Sequence, residues 1–166
     1  IALLPEDRHS QGLFIKMNIA DNLTATILEK LKNLITLNLT KLKKRSNFIF
    51  NELRIKAPSL ETVVETLSGG NQQKVVLGKW LAMDPKLLIL DSPTVGIDIG
   101  SKAEIYKIAQ ELAQKGMAII LVSDEIPEIY YNCNRVIVMR DGNIVATFDT
   151  KETTEEEIRN VVEGRL

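Results

Sequence analysis

Two short apolar runs, Leu87-Leu88-Ile89-Leu90 with Asp91 behind it and Ala118-Ile119-Ile120-Leu121-Val122, flank a stretch from Ser101 to Lys115 that carries Ile105, Ile108 and Leu112 at helical spacing. Gly116 follows that stretch as a helix stop. A continuously apolar strand, a helix and a second such strand imply a right-handed parallel crossover whose strands are buried on both faces. This order confines the chain to a layered α/β fold. Ile1 to Leu4 reads as a further short strand ended by Pro5, with a polar loop Glu6 to Gly12 behind it. Sheets of this kind bind ligands beyond the carboxyl ends of their strands, which is where Asp91 and Ser123-Asp124-Glu125 fall.

The rest of the chain divides around these strands. Leu23, Ile27, Leu31 and Leu34, with Leu28 alongside, predict a helix over residues 19–35, Asp21 lying in its first turn. Residues 36–47 are ambiguous, because Leu37, Leu39 and Lys41 alternate as in a strand while Lys41 to Arg45 is a basic run. Helix is expected to resume at Ser46 or Asn47 with Phe48, Ile49 and Leu53 on one side, and to break at Ala57-Pro58-Ser59. Beyond the crossover come a short helix from Ile126 to Tyr131 and two β-rich runs joined by Asp141-Gly142, a hairpin signal. An acidic helix from Glu155 to Leu166 closes the chain.

Composition removes several function classes. A net charge of -1 gives no global pull toward nucleic acid, and the basic run at 41–45 reads as a solvated face. The apolar runs are far shorter than the ~20 residues of a spanning helix, so a cytoplasmic-type protein is expected. One Cys, Cys133, and one His leave neither a disulfide framework nor a zinc cluster. Starting at Ile1 rather than Met, inside an apolar strand, the sequence reads as a fragment.

The stretch Leu67-Ser68-Gly69-Gly70-Asn71-Gln72-Gln73-Lys74 runs directly into an uninterrupted helical pattern. A serine and two glycines at a helix start leave backbone N–H groups and a hydroxyl able to hold an anion, and the glycines keep side chains out of the way. Taken alone, the same residues also serve as a plain N-cap. The whole string resembles the signature motif of ABC-type ATPases. LLILDSPTVGID, residues 87–98, resembles their Walker B segment and D-loop, and SDEIPE, residues 123–128, their switch region. The order and spacing resemble an ABC nucleotide-binding domain from Ile1 to Phe148, and LPEDR with LSGGNQQK looks like the second nucleotide-binding half of a sugar importer's fused ATPase subunit.

The resemblance implies a partial P-loop NTPase core, residues 1–7 and 84–150, with parallel strands and a C-terminal β-hairpin. It also implies an inserted helical subdomain over 8–83 bearing the signature motif, followed by the C-terminal helix 151–166. By the same resemblance Ser68, Gly69, Gly70, Asn71 and Gln72 bind nucleotide, Asp98 belongs to the D-loop, Glu6 occupies the Q-loop position and Asp91 holds Mg²⁺ through water. ATP and Mg²⁺ are the implied cofactors of the complete protein. The implied partners are another nucleotide-binding half, membrane permease subunits and, indirectly, a periplasmic or extracellular sugar-binding protein. The implied location is peripheral, on the inner face of the cell membrane, without nucleic acid. A soluble ABC-type ATPase of translation or DNA maintenance is the other reading.

Four departures qualify the match, the first being Glu6 in place of the Q-loop glutamine. Ser92 stands where the family has its catalytic glutamate, and an aliphatic hydroxyl is too weak a base near neutral pH. Asp124 stands where the family has the switch histidine, and no G-x-x-x-x-G-K-[ST] occurs in the sequence. With no catalytic residue intact, this half is expected to lend its signature motif to a partner's site and, by itself, to hydrolyse ATP negligibly. Strands left without neighbours are expected to make the isolated chain self-associate.

Overall fold

The computed structural model describes residues 1–33 and 36–165, and these form two compact units, Ile1–Ile120 and Leu121–Leu166. In the first unit β1 (Ala2–Leu4) leads into a π-helical turn, Arg8–Gly12, whose start is capped by the Asp7 carboxylate. Helix α1 (Ile19–Thr24) is capped by Asn18 and tightens into a 3₁₀ segment, Ala25–Leu31. Leu23, Ile27 and Leu31 are buried as their spacing predicts, while Leu34 and Ile35 lie outside the described residues.

The next helix, α2 (Leu39–Glu52), starts earlier than expected. The Asn38 side chain accepts the Lys41 N–H and opens the helix there, which resolves the ambiguous stretch: the basic run is helical. Ser46 is no cap: it is buried mid-helix with its hydroxyl donated back to the Leu42 carbonyl. Ile49 and Leu53 are buried as expected, but Phe48 is 58% exposed and carries the Arg45 guanidinium over its ring. The helix stops before Ala57-Pro58, where Arg54 takes a positive φ of 51°.

Helix α3 (Gly69–Leu81) runs through the centre of this unit, with residues 72–79 all buried. β2 (Leu87–Asp91) then pairs in parallel with β1 in the register Ala2–Leu88, Leu3–Ile89 and Leu4–Leu90. Helix α4 (Ile99–Gln114) begins two residues ahead of Ser101 because Asp98 caps it, and ends where Gly116 adopts a φ of +92°. β3 (Ala118–Val122) follows β2 in the three-stranded order β1-β2-β3, its first N–H donating to the Lys86 carbonyl.

The strands are not buried on both faces. Ala2, Leu4, Leu88 and Leu90 are at most 3% exposed, whereas Leu3 on the other face is 45% exposed, and in β3 Ile120 and Val122 are 49% and 48% exposed. Helix α3 packs against β1, and the described residues cover the sheet on that side only. The apolar runs meet the demand for a two-sided core that this chain satisfies on one side.

The second unit contains α5 (Ile126–Asn132), the antiparallel hairpin β4 (Arg135–Arg140) and β5 (Asn143–Asp149), and α6 (Glu155–Val162). Asp141 and Gly142 both take positive φ, 50° and 76°, as the short hairpin turn requires. Val136, Val138 and Ile158 form its small core, with Ile129, Tyr130 and Phe148 packed around them. Thr154 and Glu157 form a reciprocal capping box at the start of α6.

Candidate functional site

The N-terminus of α3 is the centre of the candidate site. Ser68 precedes it in extended conformation and makes no capping bond to the helix backbone; its hydroxyl instead accepts from the Asn71 amide at 3.0 Å. The plain N-cap reading therefore does not describe Ser68. Asn71 in turn accepts the Lys56 N–H at 2.8 Å, and the buried Gln72 donates to the Val64 carbonyl at 3.3 Å. The first N–H groups of any helix lack intrahelical partners, and here they lie beside an exposed serine.

The two glycines answer to the chain's own packing as well as to ligand access. A Cβ on Gly70 would lie 2.2 Å from the Ser101 hydroxyl oxygen on α4. One on Gly69 would lie 3.0 Å from Arg8 Nη2 and 3.1 Å from the Gly96 carbonyl oxygen. The loop between β2 and α4 thus sits directly against the start of α3. Asp98 accepts from the Ser101 N–H at 3.0 Å and hydroxyl at 2.7 Å, which anchors both the loop end and α4. The Ser101 hydroxyl, then its backbone N–H, hold the Asp98 carboxyl below the usual carboxylate range.

Lys74 fixes α3 from its buried side. Its ammonium donates to the Arg54 carbonyl at 3.0 Å and to Glu104 on α4 at 2.6 Å, and Glu104 also takes Lys56 at 3.1 Å. The Lys74 and Lys56 bonds hold the Glu104 carboxyl below its ordinary value. Lys74 was visible in the motif, but nothing in the sequence pointed to its partner.

The structure places the remaining expected residues as follows. Asp91 ends β2, partly buried, and Ser92 behind it takes a positive φ of 44° as the chain turns. Glu6 is exposed between β1 and the capped turn. Asp124 is exposed in the second unit, in a loop organised by Ser123, which donates to Glu128 at 2.9 Å and accepts the Glu125 N–H at 3.1 Å. The first unit therefore brings Ser68, Gly69, Gly70 and the Gly96–Asp98 loop together.

At the α3 start small residues meet helix N–H groups without intrahelical partners, the kind of helix end that suits an anion such as phosphate. Among the described residues no cluster of three or more His, Cys, Asp or Glu could hold a divalent cation; Asp91 ends β2, and Glu6 and Asp124 follow β1 and β3 in the chain. A carboxylate in the place of Asp91 suits Mg²⁺, which keeps much of its water shell and takes phosphate oxygens.

The family model described as ABC transporter matches residues 1–95 of this sequence. The chain belongs to that family. It is 47% identical over 164 residues to the xylose import ATP-binding protein XylG of Moorella thermoacetica, covering 99% of this chain and 32% of that protein. It is 42% identical over 164 residues to a putative ribose/galactose/methyl galactoside import ATP-binding protein of Pseudomonas fluorescens, again covering 99% of this chain and 32% of the relative. The ABC chain thus spans about a third of the length of these curated relatives. A dimeric ATP-binding cassette solved in a post-hydrolysis state with ADP and Pi superposes with a TM-score of 0.72 at 19% identity, over 90% of this chain and 62% of that one. The fold is therefore that of an ABC ATPase cassette.

Lys41, Lys43 and Lys44 are exposed, but Arg45 turns to the Ala82 carbonyl at 2.9 Å and to Asp84 at 2.8 Å. No helix among the described residues is long and apolar enough to cross a membrane.

Proposed function

We propose that this chain is part of the ATP-binding subunit of an ABC importer that couples ATP hydrolysis to uptake of a monosaccharide of the xylose, ribose or galactose type. Within it, this half donates its signature motif to a site completed by another nucleotide-binding half and is itself catalytically degenerate. The observation that carries this reading is the juxtaposition of Ser68, Gly69 and Gly70 with the Gly96–Asp98 loop, together with Ser92 in the place of a catalytic carboxylate. The motif that grips a phosphate is preserved and tightly built, while the position that would activate water is not. The names of the sugar-import relatives support the substrate class of this reading, and a second half is consistent with the dimeric state of the solved cassette.

On this reading ATP lies against the start of α3, where open backbone N–H groups and the Ser68 hydroxyl hold a terminal phosphate. Mg²⁺, when bound, would offset phosphate charge; Asp91, on this half's own nucleotide face, would hold it there through water, with a nucleotide other than the one gripped at α3. The assembly sits peripherally on the inner face of the cell membrane against permease subunits, which receive the sugar from a periplasmic or extracellular binding protein.

The test is ATPase and uptake by the complete transporter carrying single substitutions. Ser68→Ala removes an exposed hydroxyl and leaves α3 packed, so it is expected to slow both activities about tenfold or more, the equivalent of a lost charge-assisted hydrogen bond of ~1.5–3 kcal/mol. Gly69→Asp is expected to abolish them by adding bulk and negative charge beside a phosphate. Ser92→Ala is expected to change the rate little. A Ser92→Ala variant as damaged as Gly69→Asp would show that this half is catalytic and overturn the division of labour.

A further inference from the structure

Arg8 joins two parts of the candidate site that the chain itself separates widely. Its backbone is fixed at the start of the π-helical turn, where the preceding Asp7 carboxylate accepts the His9 N–H at 3.0 Å, the Ser10 N–H at 3.2 Å and the Ser10 hydroxyl at 2.6 Å. That turn is docked on α3. Gly12 is buried so closely that a Cβ there would meet Val76 Cγ2 at 3.0 Å, and the buried Lys79 ammonium donates to the Gly12 carbonyl.

From this base the guanidinium spreads over three acceptors. Nε donates to Gln72 Oε1 at 3.3 Å, Nη1 to the Val95 carbonyl at 2.9 Å and Nη2 to the Gly96 carbonyl at 3.3 Å. Gln72 lies within the signature motif, and Val95 and Gly96 lie in the loop that leads to Asp98. Gly96 takes a φ of +70°, and the neighbouring turn begins with Ser92 at +44°, so this loop is bent through conformations that side chains disfavour. Arg8 donates to two of its exposed carbonyls from 87 and 88 residues away in sequence. Nη2 also lies 3.0 Å from where a Gly69 Cβ would be, which puts the cation beside the start of α3.

We infer that Arg8 is a positioning residue: it clamps the β2–α4 loop to the signature helix so that Ser68, Gly69, Gly70 and Asp98 are presented as one preformed surface. The role rests on the donor reading given above, since a preformed surface matters for turnover only if a nucleotide is gripped there. A lysine cannot replace it, because one ammonium cannot span three acceptors that a planar fork reaches at once.

The experiment uses the full-length protein assembled with its permease, as Arg8→Ala, Arg8→Lys and Ser68→Ala. Hydrogen exchange is followed over residues 93–98 and 68–72, with the hairpin 135–149 as internal control, and the ATP dependence of turnover is measured on the same samples. Arg8→Ala is expected to speed exchange in both site segments but not in the hairpin. It is also expected to raise the half-saturating ATP concentration about five- to tenfold with kcat within about twofold, the mark of lost binding rather than lost chemistry. Arg8→Lys should fall between wild type and Arg8→Ala, and if Arg8→Ala does not fold, Arg8→Lys decides by the same two readouts. Unchanged exchange at 93–98 overturns the clamp, whatever turnover does. Faster exchange with an unchanged ATP dependence overturns the positioning role if Ser68→Ala still slows turnover, and overturns the donor reading itself if Ser68→Ala is also without effect.

Discussion

At the scale of single residues, three exposed carboxylates are held by short-range bonds rather than by burial. Asp98 is fully exposed, yet the Ser101 hydroxyl and N–H hold its carboxyl below the ordinary value near 3.8. Asp7, bonded first to the Ser10 hydroxyl, and Glu157, bonded first to the Thr153 hydroxyl, are lowered in the same way. A carboxyl whose folded pKa is depressed stabilises the fold above its unfolded pKa, and that stability is lost as pH falls toward the folded value. Denaturant midpoints should therefore drop as the pH is lowered through about 4 and below. Asp98→Asn keeps a capping oxygen but no longer titrates, so it should flatten that drop in part. An identical acid profile in the variant and the wild type would show that Asp98 contributes nothing to it.

At the scale of elements, α3 shows why a glycine is not always a flexible one. Gly78 lies in mid-helix, where replacing glycine by alanine ordinarily stabilises by about 0.5–1 kcal/mol. Here a Cβ would lie 2.5 Å from Leu23 Cδ2, 2.8 Å from Ile49 Cγ2 and 3.0 Å from Leu53 Cδ1, the point where α1, α2 and α3 crowd together. Overpacking of that kind costs about 1–3 kcal/mol, so Gly78→Ala should destabilise by about 1–2 kcal/mol net. Gly100, in the first turn of α4, has only Asp98 Oδ1 at 3.3 Å near its Cβ position, and Gly100→Ala should be neutral or slightly stabilising. Chemical denaturation of the pair checks this, and a stabilised Gly78→Ala would contradict the packing argument.

The same elements mark the limits of what the sequence could convey. The parallel strands, the hairpin at Asp141-Gly142 and the helix after Ser68 were legible because each rests on a local period or a turn dipeptide. The start of α2 was not, because Asn38 acts as its cap three residues ahead of a basic run, in a stretch where strand-like alternation hides the helix. Phe48 failed for a different reason: its helical spacing is correct, but it packs under Arg45 at the surface instead of joining Ile49 in the core. Of the candidate site, Ser68 to Gln72 and Asp98 stand out in the sequence as motifs. The Arg8 contacts and the Gly70–Ser101 approach were not, since they join residues 87 and 31 positions apart that no periodicity connects.

At the scale of the whole molecule, the sheet decides how the chain behaves in solution. Parallel strands are ordinarily covered on both faces, and the register of β1 with β2 leaves Leu3 and Ile89 on the face opposite the buried Leu4 and Leu90. Leu3 is 45% exposed, and Ile1, Ile120 and Val122 are 84%, 49% and 48% exposed. Exposed apolar area of this kind carries about 25 cal/mol per Å² for removing it from water, and a second copy of the same chain is always at hand to do so. The 166-residue chain, prepared by itself, is therefore expected to self-associate with rising concentration. Leu3→Lys and Ile120→Lys, each placing a charge where the apolar surface would be covered, should shift it toward monomer without lowering its thermal midpoint, because neither side chain belongs to the buried core. Sedimentation velocity over a wide range of concentrations measures this directly. A wild-type chain that stays monomeric at the highest concentration would mean the open face is tolerated in water, and association unaffected by either lysine would place the contact elsewhere.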